Sequence, residues 1–405
     1  MKSSVISKQG VGSQFLLFLV IYLTVFSWSP FISGFWGVPI TSIYLPVLLL
    51  AFFIISSKGY SRLYFDVFAI CVFLSLVCFI SLALNNNIIF NRNVAMPFAL
   101  VLSLYIAKDK VIFSKIVDVW SVISLVACGF AIFAFLYSFM GYPELATFPN
   151  PNGKINVIFP GSFTNFRLAN GIMRPSFIYD EPGAFSFFLT VVAVCRVILG
   201  KGRKVTTTIL TLGLITFSLM HVLVLGIYVL FSLKFNYKSV LSLIGITSFV
   251  LCLIIISFDK PEFAFFYERF NFSNGTFAGD NRSGQISNFL DAVNTRIVLF
   301  GDYYCHGPAV YSCSQHGDIS SSPVTPLYKG GVIWLIFQIF CHLVLFLFSF
   351  GCRKRFMVFL ILTLCLFQRP FFTDLGYQIL IFIPVFYMLL KLGFLNENKS
   401  IDYYN

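Results

Sequence analysis

The chain contains 405 residues, of which 58% are hydrophobic and only 11% are charged. That balance excludes an ordinary soluble domain, because too few polar side chains are present to cover a surface in contact with water. The formal net charge of +12 does not indicate nucleic-acid binding, because the basic residues are distributed among short segments between apolar runs, as in the cytoplasmic loops of membrane proteins. We therefore expect an all-α polytopic integral membrane protein whose partner is the lipid bilayer and not nucleic acid.

Apolar runs follow one another along the chain, and a helix of about 20 apolar residues spans a bilayer. The runs lie at roughly 14–33, 38–56, 64–84, 94–107, 116–140, 183–200, 205–233, 239–258, 331–350, 357–367 and 375–391. The first run, in MKSSVISKQGVGSQFLLFLVIYL, resembles a signal peptide. No small-residue cleavage site follows it and further runs do, so we expect it to remain as the first span.

Basic clusters between the runs mark the cytoplasmic side of the membrane. They are Lys2 and Lys8; Lys58 and Arg62; Lys108, Lys110 and Lys115; Lys201, Arg203 and Lys204; Lys234 and Lys238; Arg353, Lys354 and Arg355; Lys391 and Lys399. As one helix, the run 205–233 would be about 43 Å long, which exceeds the roughly 30 Å thickness of the hydrocarbon core. A single helix would also move every later basic cluster to the opposite side of the membrane. Two short helices turning near Ser218 keep all clusters inside. We predict this hairpin, about twelve transmembrane helices in all, and both termini in the cytoplasm.

Two long polar stretches then lie on the outer side, at about 141–182 and 259–330. Long loops cross the membrane largely regardless of their charge, so their arginines and acidic residues do not conflict with this topology. The chain has no tandem repeat and no separate soluble domain, so we expect residues 1–405 to form a single membrane domain with these two large loops.

The first outer loop ends in NFRLANGIMRPSFIYDEPGAF, where Arg167 and Arg174 precede Asp180, Glu181 and the next apolar run. Pro182 suits the first position of a helix, which places Glu181 just before it. Two interpretations of Glu181 remain open. Its carboxylate could simply be favoured by the dipole at the helix N-terminus. Alternatively, it could orient a guanidinium or polarise a substrate hydroxyl at the membrane surface.

The second outer loop contains ERFNFSNGTFAGDNRSGQI, in which Arg269 and Arg282 are the notable bases. Asp280 could pair with them, and an exposed pair of that kind contributes little to stability, about 0–1 kcal/mol. Four arginines in two loops on the same side form a more specific pattern. The planar guanidinium group matches phosphate oxygens in a bidentate way, so the set Arg167, Arg174, Arg269 and Arg282 is suited to a pyrophosphate.

Four histidines and ten cysteines complete the candidates. His221 and His342 lie within apolar runs and are expected to pack there. In the outer loop, His316 stands in SQHGDISSSP and could act as a general base near neutral pH. Cys305 and Cys313 share that loop and are candidates for a disulfide if it faces an oxidising compartment. The spacing of histidines and cysteines does not indicate a metal site, and no phosphate-binding glycine-rich loop is present.

Three segments together resemble bacterial O-antigen polymerases (the Wzy type), with a more distant likeness to O-antigen ligases. They are RPSFIYDEPGAFSFFL in the first outer loop, DNRSGQI in the second, and QHGDISSSPVTPLYKGGVIWLI before a late span. The likeness extends along the chain in hydropathy and over about fifty residues in motif. The first segment, with its arginine and its Glu-Pro, is the most specific.

The resemblance implies a GT-C-like architecture, in which membrane helices surround a cavity open to the periplasm and the two periplasmic loops cover it. It implies a glycosyltransferase of lipopolysaccharide biosynthesis in the bacterial inner membrane, with an undecaprenyl-pyrophosphate-linked oligosaccharide as donor and with no cofactor or metal. A separate chain-length-determining co-polymerase is the implied protein partner.

The resemblance also assigns roles. Arg174 and Glu181 match the first-loop motif, Arg282 matches the second-loop arginine, and His316 matches the ligase histidine. The chain has His-Gly-Asp where ligases more often have His-Asn, so Asp318 could share or take that role.

The implied chemistry is transfer of the growing glycan to the non-reducing end of a new lipid-linked repeat. Arg174 and Arg282, supported by Arg167 and Arg269, would bind the leaving pyrophosphate, since cations placed where charge develops are usually the largest catalytic contribution. His316, Glu181 or Asp280 would accept the proton of the acceptor hydroxyl.

Two rival functions remain. One is the ligase, which transfers glycan to the lipid A core. The other is a flippase for the same lipid-linked oligosaccharide, although transporters usually place ionisable residues within their spans.

Overall fold

The structure, a computed structural model, describes residues 11–26, 29, 69, 90–149, 155–165, 172–232, 272–273, 276–277, 282–301, 323–369 and 375–393. Every predicted run inside these ranges is helical over most of its length. The runs at 38–56 and 239–258, and all but one residue of the run at 64–84, lie outside the described residues.

The described elements are mainly helices. The short strands lie in the two predicted outer loops. The helices are α1 (Val11–Ile21), continued by a π-helical turn (Tyr22–Phe26), α2 (Phe90–Lys108), α3 (Lys110–Phe139), α4 (Pro182–Ile198), α5 (Arg203–Leu212), continued by a 3-10 turn (Gly213–Thr216), α6 (Leu219–Ser232), α7 (Arg282–Ala292), α8 (Thr295–Phe300), α9 (Thr325–Ser349), α10 (Arg353–Gln368) and α11 (Leu375–Lys391). The strands are β1 (Ala146–Pro149), β2 (Ile155–Phe159), β3 (Ser162–Thr164), β4 (Phe272–Ser273) and β5 (Thr276–Phe277).

Two of the described helical segments are long and apolar enough to cross a membrane, Lys110–Phe139 and Gly330–Ser349. Five shorter apolar helices accompany them: Gln14–Phe26, Met96–Lys108, Pro182–Ile198, Leu219–Ser232 and Leu375–Lys391. Large apolar side chains point outward at helical spacing on α3 and α9, including Val122, Val126, Phe133, Leu136, Ile336, Ile339, Leu343 and Phe346. A contiguous apolar face of this kind is unusual in a soluble protein. The architecture is therefore compatible with an all-α membrane protein, and the twelve crossings stay a prediction.

The described elements form two compact units. In the first unit, α2 packs against α11. This unit also includes the start of α3 as far as Trp120, whose indole Nε1 donates to Thr24 Oγ1 at 2.9 Å. The second unit contains α3 from Ser121 onward, the strands, and α4 to α10. Within it α4 packs against α10, α5 and α6, and α9 packs against α8 and α10.

The segment predicted to turn near Ser218 is a hairpin. The 3-10 turn after α5 ends at Phe217, which has a left-handed backbone (φ 49), and α6 begins at Leu219. His221 Nε2 lies 2.8 Å from the carbonyl oxygen of Leu210, and the Tyr228 hydroxyl lies 3.5 Å from Thr207 Oγ1. Since later residues of α6 meet earlier residues of α5, the two helices run antiparallel. The predicted break into two helices is confirmed.

His221 fastens the hairpin to α4. A carbonyl oxygen only accepts, so His221 Nε2 carries the hydrogen donated to Leu210. Its Nδ1 is then an acceptor for the hydroxyl of Ser186 on α4, at 2.9 Å. Gly213 makes room for the imidazole, because a Cβ at that position would overlap the His221 ring and approach Leu189. The histidine expected to pack in an apolar run therefore packs there with both ring nitrogens hydrogen-bonded.

Basic residues gather at one end of the second unit. Arg196, in the last turn of α4, donates to Thr206 Oγ1 at 3.1 Å, which holds this end of α4 beside the start of α5. Arg353 at the start of α10 donates to the carbonyl of Leu230 near the end of α6, at 2.6 Å. We call this the basic end, defined by its cationic side chains: Lys201, Arg203, Lys204, Arg353, Lys354 and Arg355. The opposite end of α4 is about 26 Å away, given its 17 residues.

Replacement of Gly213 by alanine should destabilise the protein by about 1–3 kcal/mol, because the added methyl group overpacks the His221 site. Gly226→Ala on α6 is the matched control, since its Cβ would meet nothing within 4 Å and alanine is the better helix former. Thermal unfolding of both purified variants in detergent measures the difference. Equal midpoints for the two variants would contradict the hairpin packing described above.

Candidate functional site

Glu181 lies at the N-terminus of α4, where Pro182 occupies the first helical position. Its extended backbone (φ −133, ψ 146) places its carbonyl to accept the N–H of Ala184 at 3.0 Å. The side chain makes no capping hydrogen bond. Instead, its Oε2 accepts from Arg369 Nη2 at 2.6 Å, an ion pair. Of the interpretations left open by the sequence, orientation of a guanidinium is the one that matches the side-chain contact.

Arg369 follows α10 directly, so the ion pair joins the start of α4 to the end of α10. The side chains of Arg369 and Glu181 are 12% and 23% exposed, so the pair is mostly buried with a small part at the surface. Gly183 brings the guanidinium onto the first turn of α4, because a Cβ there would overlap its Nη2, Cζ and Nε atoms. The Glu181 carboxylate on one side and the bare backbone of Gly183 on the other therefore fix the position of this cation.

The segment that carries Glu181 is attached to the sheet. Phe177, with a left-handed backbone (φ 55), receives a hydrogen bond from Phe163 N–H on its carbonyl at 3.0 Å and donates its own N–H to Ser162 Oγ at 2.8 Å. The Ser176 hydroxyl donates to the Phe163 carbonyl at 2.5 Å. These bonds hold the segment of Ser176 and Phe177 against β3, and they fix the direction from which the chain enters α4.

Tyr179 fills the space between this segment and α4. Its ring lies 6.0 Å from that of Phe185 and 5.8 Å from that of Phe188. Burial raises the pKa of Tyr179 well above its ordinary value, because the charged phenolate would lose its hydration. The phenol is therefore neutral at physiological pH and serves the packing that supports Glu181.

Arg174 has different partners from those expected. It is only 4% exposed, and its Nη2 donates to the carbonyls of Thr216 and Phe217 at 3.2 and 2.9 Å. These carbonyls stand at the hairpin turn, where the helical hydrogen-bond pattern ends and acceptors need other donors. Arg174 thus holds the hairpin turn against the first loop, and its contact with a pyrophosphate stays a prediction.

Most of the other predicted site residues lie outside the described part of the chain. They are His316, Asp280, Arg167, Arg269, Cys305 and Cys313, together with Asp318. Arg282 begins α7, and only its backbone position is described. Downstream, Phe289, Ala292 and Ile297 of α7 and α8 form a buried cluster with Tyr328 of α9, so these two helices pack on the start of α9. The roles assigned to these residues stay predictions.

Sequence reasoning missed Arg369. A usable signal was present, because Arg369 follows an apolar run directly and precedes Pro370, which disfavours continuation of the helix. The predicted topology also places the short link between the last two runs on the outer side, the same side as Glu181. What the sequence does not show is that these two residues, 188 positions apart, meet.

A guanidinium held by a carboxylate can bind phosphate oxygens, and it needs no metal to do so. Among the residues that the structure describes, no three histidine, cysteine, aspartate or glutamate side chains form a group that could hold a metal ion. Comparisons with known protein families, with curated proteins and with solved structures gave no significant match. The Glu181–Arg369 pair is accordingly the feature of the described chain with the clearest chemical capability.

The predicted topology places the first loop and the basic end on opposite sides of the membrane. We expect a membrane-impermeant maleimide to label the cysteine of Tyr142→Cys in intact spheroplasts, because Tyr142 is exposed in that loop. The native Cys352, exposed at the start of α10, should react only after the membrane is opened.

Each labelling experiment uses a variant in which the remaining cysteines are replaced. Labelling of both positions from the same side would refute the proposed sidedness.

Proposed function

We propose that this protein is a glycosyltransferase of the O-antigen polymerase type. It transfers the growing glycan from undecaprenyl pyrophosphate to a new lipid-linked repeat unit at the periplasmic face of the bacterial inner membrane. The observation that carries the proposal is the Glu181–Arg369 ion pair at 2.6 Å, seated on the first turn of α4 within the segment RPSFIYDEPGAF.

The reaction breaks the bond between the anomeric carbon of the donor sugar and its pyrophosphate oxygen. A new bond forms from that carbon to a hydroxyl oxygen of the acceptor sugar, whose proton passes to a base. Negative charge develops on the leaving pyrophosphate. A cation fixed beforehand at that position stabilises the transition state without further reorganisation, and one such donor typically contributes 10²–10³-fold in rate.

Arg369 supplies this cation in the proposed mechanism. Its planar guanidinium matches two phosphate oxygens at once, which a lysine ammonium does not. Glu181 and the bare backbone of Gly183 hold the group in place, so less side-chain freedom is lost when the donor binds. Arg282, Arg167 and Arg269 remain proposed partners for the second phosphate.

Arg174 acts as a positioning residue in this proposal. It ties the hairpin turn to the segment that carries Glu181, through its bonds to Thr216 and Phe217. Because the Glu181 carboxylate is engaged with Arg369, the proton of the acceptor hydroxyl goes to His316 or Asp280, the other bases proposed in the outer loops.

A ligase would share the donor and the leaving group, and it differs from a polymerase in its acceptor. A flippase needs no bond breaking. For a flippase, ionisable groups are expected along the path through the membrane, whereas the described Glu181–Arg369 pair lies at the ends of α4 and α10. This position favours chemistry at the membrane surface over transport.

Deletion of the gene in its host, followed by return of single variants, tests the function on the surface polysaccharide ladder. We expect the deletion strain to keep the lipid A core with one repeat unit, and Arg369→Ala to leave that state unchanged because the leaving pyrophosphate loses its cation. Arg369→Lys should restore short chains only, since the charge remains but the bidentate geometry is lost. Glu181→Gln should lower polymerisation through a misplaced guanidinium.

Arg203→Ala, an exposed arginine at the basic end, is the matched control and should restore the full ladder. Membrane abundance is measured for every variant. Loss of even the single capped repeat in the deletion strain would identify a ligase or a flippase. A full ladder from Arg369→Ala, Arg282→Ala and His316→Ala at normal abundance would overturn the proposed site.

A further inference from the structure

A cavity of about 630 Å³ opens beside α5 at the basic end. The described residues that line it all belong to α5: Arg203, Lys204, Thr207, Thr208, Thr211 and Leu212. Because residues four positions apart lie on the same face of a helix, these side chains form one stripe along α5. The volume falls within the range of about 300–1,000 Å³ that is usual for small-ligand sites, so the cavity has room for a ligand.

The stripe faces away from the rest of the protein. The opposite side of α5 packs against α4 and α6, and its buried members are Thr206, Ile209 and Leu210. Along the stripe, every residue except Thr207 and Leu212 is exposed. A ligand can therefore enter the cavity from outside without any movement of the fold.

The chemistry of the stripe changes in steps along α5. Two cationic side chains stand at its start, three threonines follow, and Leu212 and the exposed Leu214 continue it into an apolar surface. The rise from Arg203 to Thr211 is about 12 Å. A glycerophospholipid presents its groups in the same order, with a phosphate first, ester oxygens next and acyl chains last. The stripe is therefore complementary to a phospholipid whose head group is anionic.

The depth of α5 in the membrane agrees with this order of groups. Its 10 residues make a helix of about 15 Å, half of the roughly 30 Å hydrocarbon core, so α5 extends from the basic end through one leaflet only. Its partner α6 exposes Leu219, Val222 and Leu223, as contact with acyl chains requires. A polar stripe in contact with hydrocarbon would be unfavourable. The difference between the two helices therefore indicates that polar groups of a lipid cover α5.

The two cations of the cavity are not engaged elsewhere. In the part of the chain that the structure describes, the side chains of Arg203 and Lys204 make no ion pair and no hydrogen bond. Arg353, at the same end of the unit, instead donates to the carbonyl of Leu230 and lies over the Phe231 ring at 5.5 Å. Arg203 and Lys204 can therefore give their hydrogen-bond donors to a phosphate.

The threonines divide into two kinds. The hydroxyls of Thr207 and Thr208 donate to the carbonyls of Arg203 and Lys204, each at 3.0 Å, so their hydrogens are already used within the helix. The Thr211 hydroxyl, one turn deeper, makes no hydrogen bond among the described residues. It is the hydroxyl of the stripe that can donate to an ester oxygen.

We propose that this cavity binds an anionic glycerophospholipid. The phosphate lies between Arg203 and Lys204, an ester oxygen accepts from Thr211, and an acyl chain follows Leu212 and Leu214. The planar guanidinium engages two phosphate oxygens and the ammonium adds a second positive charge. The bound lipid fixes the start of α5 in its leaflet. The inference does not depend on the proposed glycan transfer.

The test uses the purified full-length protein in a nonionic detergent, with bound lipid counted by native mass spectrometry during a titration. Dioleoyl phosphatidylglycerol is the anionic probe. Dioleoyl phosphatidylcholine has the same chains with a head group of no net charge, and glycerol 3-phosphate carries the phosphate without the chains. We expect phosphatidylglycerol to bind at least about tenfold more tightly than phosphatidylcholine, and glycerol 3-phosphate to bind far more weakly than either lipid.

Lys204→Ala and Arg203→Ala should each lower the affinity for phosphatidylglycerol about tenfold, because each removes a charge-assisted contact with the phosphate. Lys354→Ala is the matched control, since it removes the same charge from an exposed lysine at the basic end that does not line the cavity. It should change the affinity less than about twofold. Thr211→Val keeps the charge and should lower the affinity about fivefold through loss of one hydrogen bond.

Equal losses of affinity for Lys204→Ala and Lys354→Ala would show a general attraction of the basic end to anionic lipid and would overturn the site. Equal affinities for the two lipids would overturn it as well. Binding of glycerol 3-phosphate as tight as that of phosphatidylglycerol would identify a soluble phosphate as the ligand and overturn the lipid assignment.

The lipid site and the polymerase proposal fail separately. Arg369→Ala should bind phosphatidylglycerol with wild-type affinity while it fails to extend the ladder. The cavity lies at the end of α4 opposite Glu181, so the lipid takes no part in glycan transfer. Arg203→Ala therefore restores the ladder although it binds less lipid.

Discussion

The bonds from Arg174 to the carbonyls of Thr216 and Phe217 are the interaction on which this part of the molecule depends. A chain that reverses between two short apolar helices leaves carbonyl groups without helical partners, and away from water each one has to find a donor. A guanidinium can serve two carbonyls at once. By doing so, it ties the turn of the hairpin to the segment that enters α4 and so sets the place of Glu181.

The helices of the second unit run between two chemically different ends, the basic end and the end that carries the Glu181–Arg369 pair. The pairing of Glu181 with Arg369 requires the start of α4 and the end of α10 to lie at the same end, and the bond from Arg353 to Leu230 brings the start of α10 to the end of α6. A single helix over 205–233 would have placed those elements on opposite sides. The antiparallel α5–α6 hairpin instead makes the contacts and the distribution of basic residues agree.

Helix positions and the hairpin could be predicted because they depend on local features, namely apolar run length and the side on which charges gather. Glu181 could be placed before α4 because Pro182 marks a helix start. The sheet was not predicted, although IFPGSF carries a turn signal, with Gly161 at φ 86 between β2 and β3. The partners of Arg174 and Glu181 could not be predicted, because they depend on contacts between distant segments. The sequence alone also does not show whether a charged loop residue is buried against the protein or is free to bind a ligand.

The large separation between Glu181 and Arg369 has a consequence for synthesis. Arg174 and its hairpin carbonyls are 42 and 43 residues apart, so that contact can form soon after α6 is made. Glu181 has to wait for a partner 188 residues further on, which at ribosomal rates of about 5–20 residues per second is a delay of about 10–40 s. During that interval the Glu181 carboxylate lacks its contact with Arg369. The ion pair is thus completed much later in synthesis than the contact of Arg174 with the hairpin turn.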